Sequence, residues 1–165
     1  LGWVDAARGN DAGAQEWYER AIAVDPTYPH VYRRLADLYY DRKDWDHALE
    51  YYRRVLAALP RYFEVLVQSG NSARFQGDTE TAASSYTEAG RVRTDSWIPR
   101  YNLACLRAIG GDPDAALALL AEAVDLGFDA PKLLAENDDF TTVRAAPGWG
   151  ELMARTEAAA ARARK

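Results

Sequence analysis

The chain has 165 residues, a formal net charge of −5 and one cysteine. This length suits one domain, and the negative charge argues against a nucleic-acid partner, which would require a basic surface. One cysteine excludes an internal disulfide, which favours a reducing compartment such as the cytoplasm without assigning one. The sequence contains no apolar run of about eighteen residues, so it predicts no membrane span.

The sequence begins in the middle of an expected helix. Leu1 and Gly2 occupy positions that belong to the middle of a first helix, which we expect to end near residue 8. The sequence also has no initiator methionine. We therefore expect a fragment or an excised domain of a longer protein, so that a signal peptide or a catalytic partner upstream would be invisible in this sequence.

Apolar residues at helical spacing predict a series of paired helices along the chain. Their expected bounds are residues 11–24, 29–41, 45–58, 63–76, 79–92, 97–109 and 113–126. The joints inside the pairs carry Lys43-Asp44, Gly77-Asp78 and Gly111-Asp112, where the first residue ends one helix and the aspartate caps the next. After Gly127 we expect a helix over 130–137, a short turn and a final helix from about 147.

The pattern repeats with a period of 34 residues. Alanine recurs at one position, tyrosine or leucine at a second, and glycine or alanine at a third. These sets are Ala14, Ala48, Ala82 and Ala116; Tyr18, Tyr52, Tyr86 and Leu120; and Gly2, Ala36, Gly70 and Ala104. Small side chains suit a close crossing of two helices. Since one helical hairpin cannot bury its own apolar face, stability requires stacked neighbours.

The period and these recurrent residues resemble the tetratricopeptide repeat (TPR). The resemblance covers about four units, at residues 1–28, 29–62, 63–96 and 97–128, which form a predicted array over 1–128. It implies an all-α fold, a right-handed superhelical solenoid of antiparallel helix pairs. Residues 129–165 resemble the C-terminal segment of many bacterial TPR proteins, and we expect them to cap the last apolar face and to end in a solvated tail.

The resemblance also implies which side chains face the concave groove of such an array. In the first helix of each unit, the second, fifth, sixth and ninth positions point inward. The candidate partner-binding residues at these positions are His30, Arg33, Arg34, Asp37, Gln68, Asn71, Ile98, Tyr101 and Asn102. Planar polar groups and aromatic surface are typical of peptide-binding surfaces, and the adjacent arginines favour an acidic ligand. The simpler alternative is that these residues only solvate an exposed helix face.

Other residues whose side chains could act in catalysis or metal binding have simpler interpretations. Cys105 lies among small residues with no histidine nearby in the sequence, so we interpret it as a packing residue. His30 and His47 lack further ligands at metal-binding spacing, and capping explains Asp138 and Asp139 at an expected helix start. The sequence contains no phosphate-binding glycine loop, nucleophile elbow or zinc-protease motif. We therefore predict no enzymatic activity, cofactor or metal site.

The terminal-carboxylate clamp of TPR co-chaperones is not predicted either. In the best register its positions hold Val67, Asn71, Asn102, Lys132 and Glu136. Glu136 reverses a required charge and Val67 removes another. The remaining interpretation is a non-catalytic scaffold or adaptor that binds a segment of another protein. Self-assembly, and an accessory role within a larger bacterial enzyme or regulator, stay open, as do the partner and the oligomeric state.

Overall fold

The computed structural model of the protein describes residues 11–163. In that range the chain forms nine α-helices and two 3₁₀ turns, with no β-strand. The helices are α1 (Asp11–Val24), α2 (Pro29–Asp41), α3 (Trp45–Ala58), α4 (Phe63–Gln76), α5 (Thr79–Val92), α6 (Ile98–Ile109), α7 (Pro113–Asp125), α8 (Pro131–Glu136) and α9 (Trp149–Ala163). The predicted first helix, over residues 1–8, lies outside the described residues. The chain divides into two compact units between Ser85 and Tyr86.

The all-α prediction is confirmed, and helices α1 to α5 have the expected bounds. The later boundaries shift by one or two residues. Helix α6 begins at Ile98, whose backbone N–H donates to the Ser96 hydroxyl at 3.4 Å. Helix α9 begins at Trp149 instead of near 147, because Gly148 has φ 98° and a left-handed residue cannot lie inside a right-handed helix.

The joints inside the helix pairs share one backbone conformation. Positive φ angles occur at Lys43 (60°), Gly77 (83°) and Gly111 (78°). The aspartate after each accepts a hydrogen bond from a backbone N–H of the next helix. The donors are His47 to Asp44 at 3.3 Å, Thr81 to Asp78 at 3.0 Å and Ala115 to Asp112 at 3.1 Å. The predicted helix-ending and capping roles are confirmed at all three joints.

The core of the first unit forms where α1 to α4 face one another. Ala14, Ala36 and Ala48 have no exposed surface, as the close-crossing interpretation requires. Aromatic rings of α2 and α3 form a stack beside this core. Its centroid separations are 6.2 Å for Tyr32–Tyr51, 5.6 Å for Tyr51–Tyr39 and 4.8 Å for Tyr39–His47.

The core of the second unit includes the non-repeating end of the chain. Leu120 and Val124 of α7 share one cluster of buried side chains with residues that follow Gly127. These later members are Phe128, Leu134, Phe140, Val143 and Leu152. The segment after α7 therefore covers apolar side chains of that helix. The division of the chain into an array over 1–128 and a cap over 129–165 stays a prediction.

Candidate functional site

The polar face of α2 lines two recesses in the first unit. The Asp37 recess has a volume of about 460 Å³ and the Tyr28 recess about 480 Å³, and the two share Arg33 and Arg34. The Asp37 recess is also lined by Asp37, Tyr40, Asp41, Tyr52, Glu64, Val65 and Gln68. The Tyr28 recess is also lined by Tyr18, Tyr28, His30 and Val31. Five of the nine candidate residues thus come together: His30, Arg33, Arg34, Asp37 and Gln68.

The Asp37 carboxylate is already bound by neighbouring side chains. The Tyr52 hydroxyl donates to Asp37 Oδ1 at 2.8 Å, and Arg33 Nε lies 3.7 Å from Oδ2. Burial raises the pKa of Asp37, although the bond from Tyr52 and the charges of Arg33 and Arg34 act in the opposite direction. Burial, followed by the charge of Asp37, raises the pKa of Tyr52, so this hydroxyl keeps its proton and acts as a donor.

The two adjacent arginines have different surroundings. The Arg33 guanidinium lies 5.0 Å from the centre of the Tyr62 ring, donates to the Tyr62 hydroxyl and pairs with Asp37. Arg34 is exposed and forms neither a hydrogen bond nor an ion pair with any residue between 11 and 163. Arg33 therefore connects α2 to its neighbours, whereas the Arg34 guanidinium is available to a ligand.

Gln68 and Asn71 form a pair on α4. The Asn71 side-chain amide donates to Gln68 Oε1 at 3.0 Å, so the two amides orient each other. Gln68 lines the Asp37 recess, while Asn71 contacts the Tyr40 hydroxyl and lines neither recess. Of these two candidates, Gln68 lines a recess, and Asn71 orients the Gln68 amide.

The other three candidates, Ile98, Tyr101 and Asn102, lie on α6 in the second unit and are partly buried. The Tyr101 ring stacks on Phe128 at 5.4 Å and meets Phe140 edge-on at 5.7 Å. Its hydroxyl accepts a hydrogen bond from the Asn137 amide at 2.8 Å. Burial raises the pKa of Tyr101 to about 12. Most of this ring therefore packs within its own unit.

Sequence reasoning missed the tyrosines that line the recesses. In the sequence Tyr18 and Tyr52 stand out only as members of a recurrent position of the repeat, and both are buried. A buried tyrosine hydroxyl usually finds a hydrogen-bond partner, and this rule could have directed attention to a polar group near Tyr52. Tyr28, which is 52% exposed, precedes the first residue of α2 and lies outside the recurrent positions used for selection.

The remaining candidates for chemistry are structural. Cys105 is 2% exposed, with its Sγ 3.6 Å from the Asn137 amide nitrogen, which agrees with a packing role. The capping role expected of Asp138 and Asp139 is wrong. Asn137 is the cap: its side-chain oxygen accepts from the Asp139 N–H at 3.0 Å, because the helix ends early and a 3₁₀ turn starts at 138.

Among residues 11–163, no group of three or more histidine, cysteine, aspartate or glutamate side chains is placed to hold a metal ion. None of the helices in this range combines the length and apolar content needed to cross a membrane.

Comparisons with known proteins match residues 2–62 of the chain to models of one repeat family. The family model for the TPR repeat matches residues 2–41, and that for the tetratricopeptide repeat matches residues 29–62. No curated protein matches the chain.

Solved structures share the fold. The crystal structure of MamA aligns over 99% of this chain and 92% of its own, with a TM-score of 0.79 and 15% identity. PilF of Pseudomonas aeruginosa aligns over 98% and 72%, with a TM-score of 0.75 and 20% identity. The thermophilic TPR protein TTC0263 of Thermus thermophilus aligns over 96% and 95%, with a TM-score of 0.59 and 22% identity. At these identities the likeness shows the fold alone.

Proposed function

Because this chain is a tetratricopeptide-repeat protein, we propose that it is a non-catalytic interaction module that binds a segment of another protein along the polar face of α2. One observation carries this proposal: the exposed, unpaired Arg34 lies between two recesses on a helix whose other face is packed. Concave sites with a few convergent polar groups are typical ligand sites. Repeat proteins use such surfaces for extended contacts with partners.

The two recesses differ in what they offer a bound segment. The Arg34 guanidinium supplies several N–H donors in a plane that matches a carboxylate. The Tyr28 recess offers aromatic surface, where Tyr28 and His30 meet edge to face with centroids 5.4 Å apart. These features support a ligand with a carboxylate next to an aromatic or aliphatic side chain. A partner with an acidic side chain therefore fits this face.

The second unit contributes separately to the proposal. We propose contacts through Ile98 and Asn102, both partly exposed on α6. Tyr101 stays a proposed contact residue, but its packing against Phe128 means that a substitution there changes stability as well as binding. Binding tests should therefore begin with α2, where the available side chain is exposed.

The test uses a displayed library of random short peptides selected on the purified protein. We expect enriched peptides to bind Arg34→Ala about fivefold more weakly, with the difference shrinking as salt is added. Arg61→Ala is the matched control. Arg61 is also exposed and lines a different recess, at residues 58–62 of the α3–α4 connection. Peptides that bind wild type and Arg34→Ala equally would assign the binding site to another surface.

Self-assembly is the second candidate, and exposed apolar side chains favour it. Trp17 is 39% exposed and Phe75, which stacks on Trp45 at 4.6 Å, is 48% exposed. Such rings often anchor protein contacts. Light scattering over a concentration series tests this: a mass that rises with concentration supports self-assembly, and a constant monomer mass excludes it. An accessory role within a larger bacterial enzyme or regulator is tested by the full-length sequence.

A further inference from the structure

The Asp37 recess contains two unpaired charges of opposite sign. Arg34 and Asp41 are both exposed, and neither forms a hydrogen bond or an ion pair with any other described residue. Asp37, which lies between them in the sequence, is bound to Tyr52 and Arg33. The recess therefore offers a ligand one positive and one negative side chain on the same helix.

The spacing of these charges defines a length. Arg34 and Asp41 are seven residues apart in α2, which places them on one side of the helix, about 10 Å apart along its axis. An extended segment in the polyproline II conformation has three residues per turn and advances about 3.1 Å per residue, so side chains three positions apart lie on the same side of it, about 9 Å apart.

We propose that the Asp37 recess binds an extended peptide segment with an acidic and a basic residue three positions apart. The acidic residue meets Arg34 and the basic residue meets Asp41. The inference rests on the proposed function and narrows it, because a merely acidic ligand would satisfy Arg34 and be repelled by Asp41. Gln68 supports an extended backbone, since its side-chain N–H groups have no partner in the described chain and suit a peptide carbonyl.

The two charges together select the charge pair of the bound segment. A segment with two acidic residues is attracted by Arg34 and repelled by Asp41, and a segment with two basic residues is attracted by Asp41 and repelled by Arg34. Only a segment with one of each gains at both ends, and the repulsion of the wrong partners contributes to specificity. Because both contacts are exposed, each favourable contact changes affinity by about two- to fivefold at low salt.

The test selects one displayed library of random short peptides on wild type, on Arg34→Glu and on Asp41→Lys, and compares the charged residues of the peptides that each protein enriches. After selection, sequencing gives the frequency of each charge pair at every spacing. We expect wild type to enrich opposite charges three residues apart. Arg34→Glu makes both ends acidic and should enrich two basic residues at that spacing. Asp41→Lys makes both ends basic and should enrich two acidic residues.

Matched control variants distinguish an effect of the charges in the recess from an effect of the net charge of the protein. Arg61→Glu and Glu80→Lys change exposed residues of the first unit that do not line the recess, so both should keep the wild-type preference. Circular dichroism confirms that each variant is folded.

The outcomes separate the two proposals. Peptides that depend on Arg34 without the switch in pair charge would overturn the two-charge inference and keep the proposed function. A preference for opposite charges seven residues apart would also overturn it, because that spacing belongs to a helical ligand. Selection that enriches no peptide on any variant would overturn both proposals.

Discussion

The two units place different residues at equivalent repeat positions and use them differently. Arg33 and Asp37 of α2 correspond to Tyr101 and Cys105 of α6, two repeats later. In the first unit these positions border an open recess. In the second unit Tyr101 and Cys105 lie against Phe140 and Asn137, which come from the non-repeating segment. The period thus determines the helix pair, and residues outside the period determine whether its face is open or covered.

Removal of the covering segment should have the largest effect on the second unit. Truncation after Gly127 deletes Phe128, Leu134, Phe140, Val143 and Leu152 from the core of the second unit. We expect a large loss of stability and aggregation, because buried residues of α7 such as Leu120 become exposed. Urea denaturation and light scattering measure both effects.

Removal of residues 161–165 is the control for this truncation. The described residues among them are exposed, so we expect little change. A chain ending at Gly127 that stays monomeric with its stability intact would falsify the covering role of the C-terminal segment.

Alanine substitutions at the equivalent positions 33 and 101 should affect stability to different extents. Tyr101→Ala removes a ring packed on Phe128 and Phe140, and we expect it to lower the free energy of unfolding by about 3 kcal/mol. Tyr101→Phe keeps the ring and removes the hydrogen bonds of the hydroxyl with Asn137 and Cys105, and we expect it to lower the free energy of unfolding by about 1 kcal/mol. Arg33→Ala, at the equivalent position, should cost less than Tyr101→Ala. Equal losses for the two alanine variants in urea denaturation would contradict the contrast between units.

The close crossings should respond alike in both units. Ala48 and Ala116 each have no exposed surface. Replacing either by leucine adds methylenes where two helices meet, and we expect a loss of about 1–3 kcal/mol. Ala82→Leu, at the same repeat position, should behave in the same way. Unchanged thermal midpoints in all three variants would show that the register of the repeat is wrong.

The joints should give the smallest effects, with opposite signs. Lys43 adopts a φ of 60° where the equivalent Gly111 adopts 78°. Lys43→Gly relieves the strain of a side chain in the left-handed region, and we expect a gain of about 0.5–1 kcal/mol. Gly111→Lys should lose about 1–2 kcal/mol. Thermal denaturation compares the two variants, and a stabilised Gly111→Lys would exclude strain as the difference between the joints.

The sequence was sufficient to predict the helix bounds of the repeats, but it did not predict which side chains are covered or which polar groups they bind. Pro29, Gly77 and Asp112 mark helix ends through local backbone preferences, which is why most bounds agree. After Gly127 the recurrent signals stop, and the 3₁₀ turns near Asn137 depend on tertiary packing.

The candidate site shows the same division between local and tertiary information. Arg33 and Arg34 are chemically identical in the sequence. They become different only because the Tyr62 ring and the Asp37 carboxylate lie beside Arg33. The pairing of Asp37 with Tyr52 likewise joins two helices, α2 and α3. Periodicity predicts which face a residue occupies, whereas the partner of its polar end depends on the folded arrangement.

The ring stack of Tyr32, Tyr51, Tyr39 and His47 holds tyrosine rings of α2 and α3 in fixed relative orientations. The rings of Tyr39 and Tyr51 are nearly parallel, at 9° and 5.6 Å, and come from different helices. Fixed tyrosines in such an arrangement produce near-ultraviolet circular dichroism, which disappears when side-chain packing is lost even if the helices persist. The stack therefore contributes to a near-ultraviolet signal that reports side-chain packing, including the docking of α2 on α3, and that is separate from the far-ultraviolet signal of helix content.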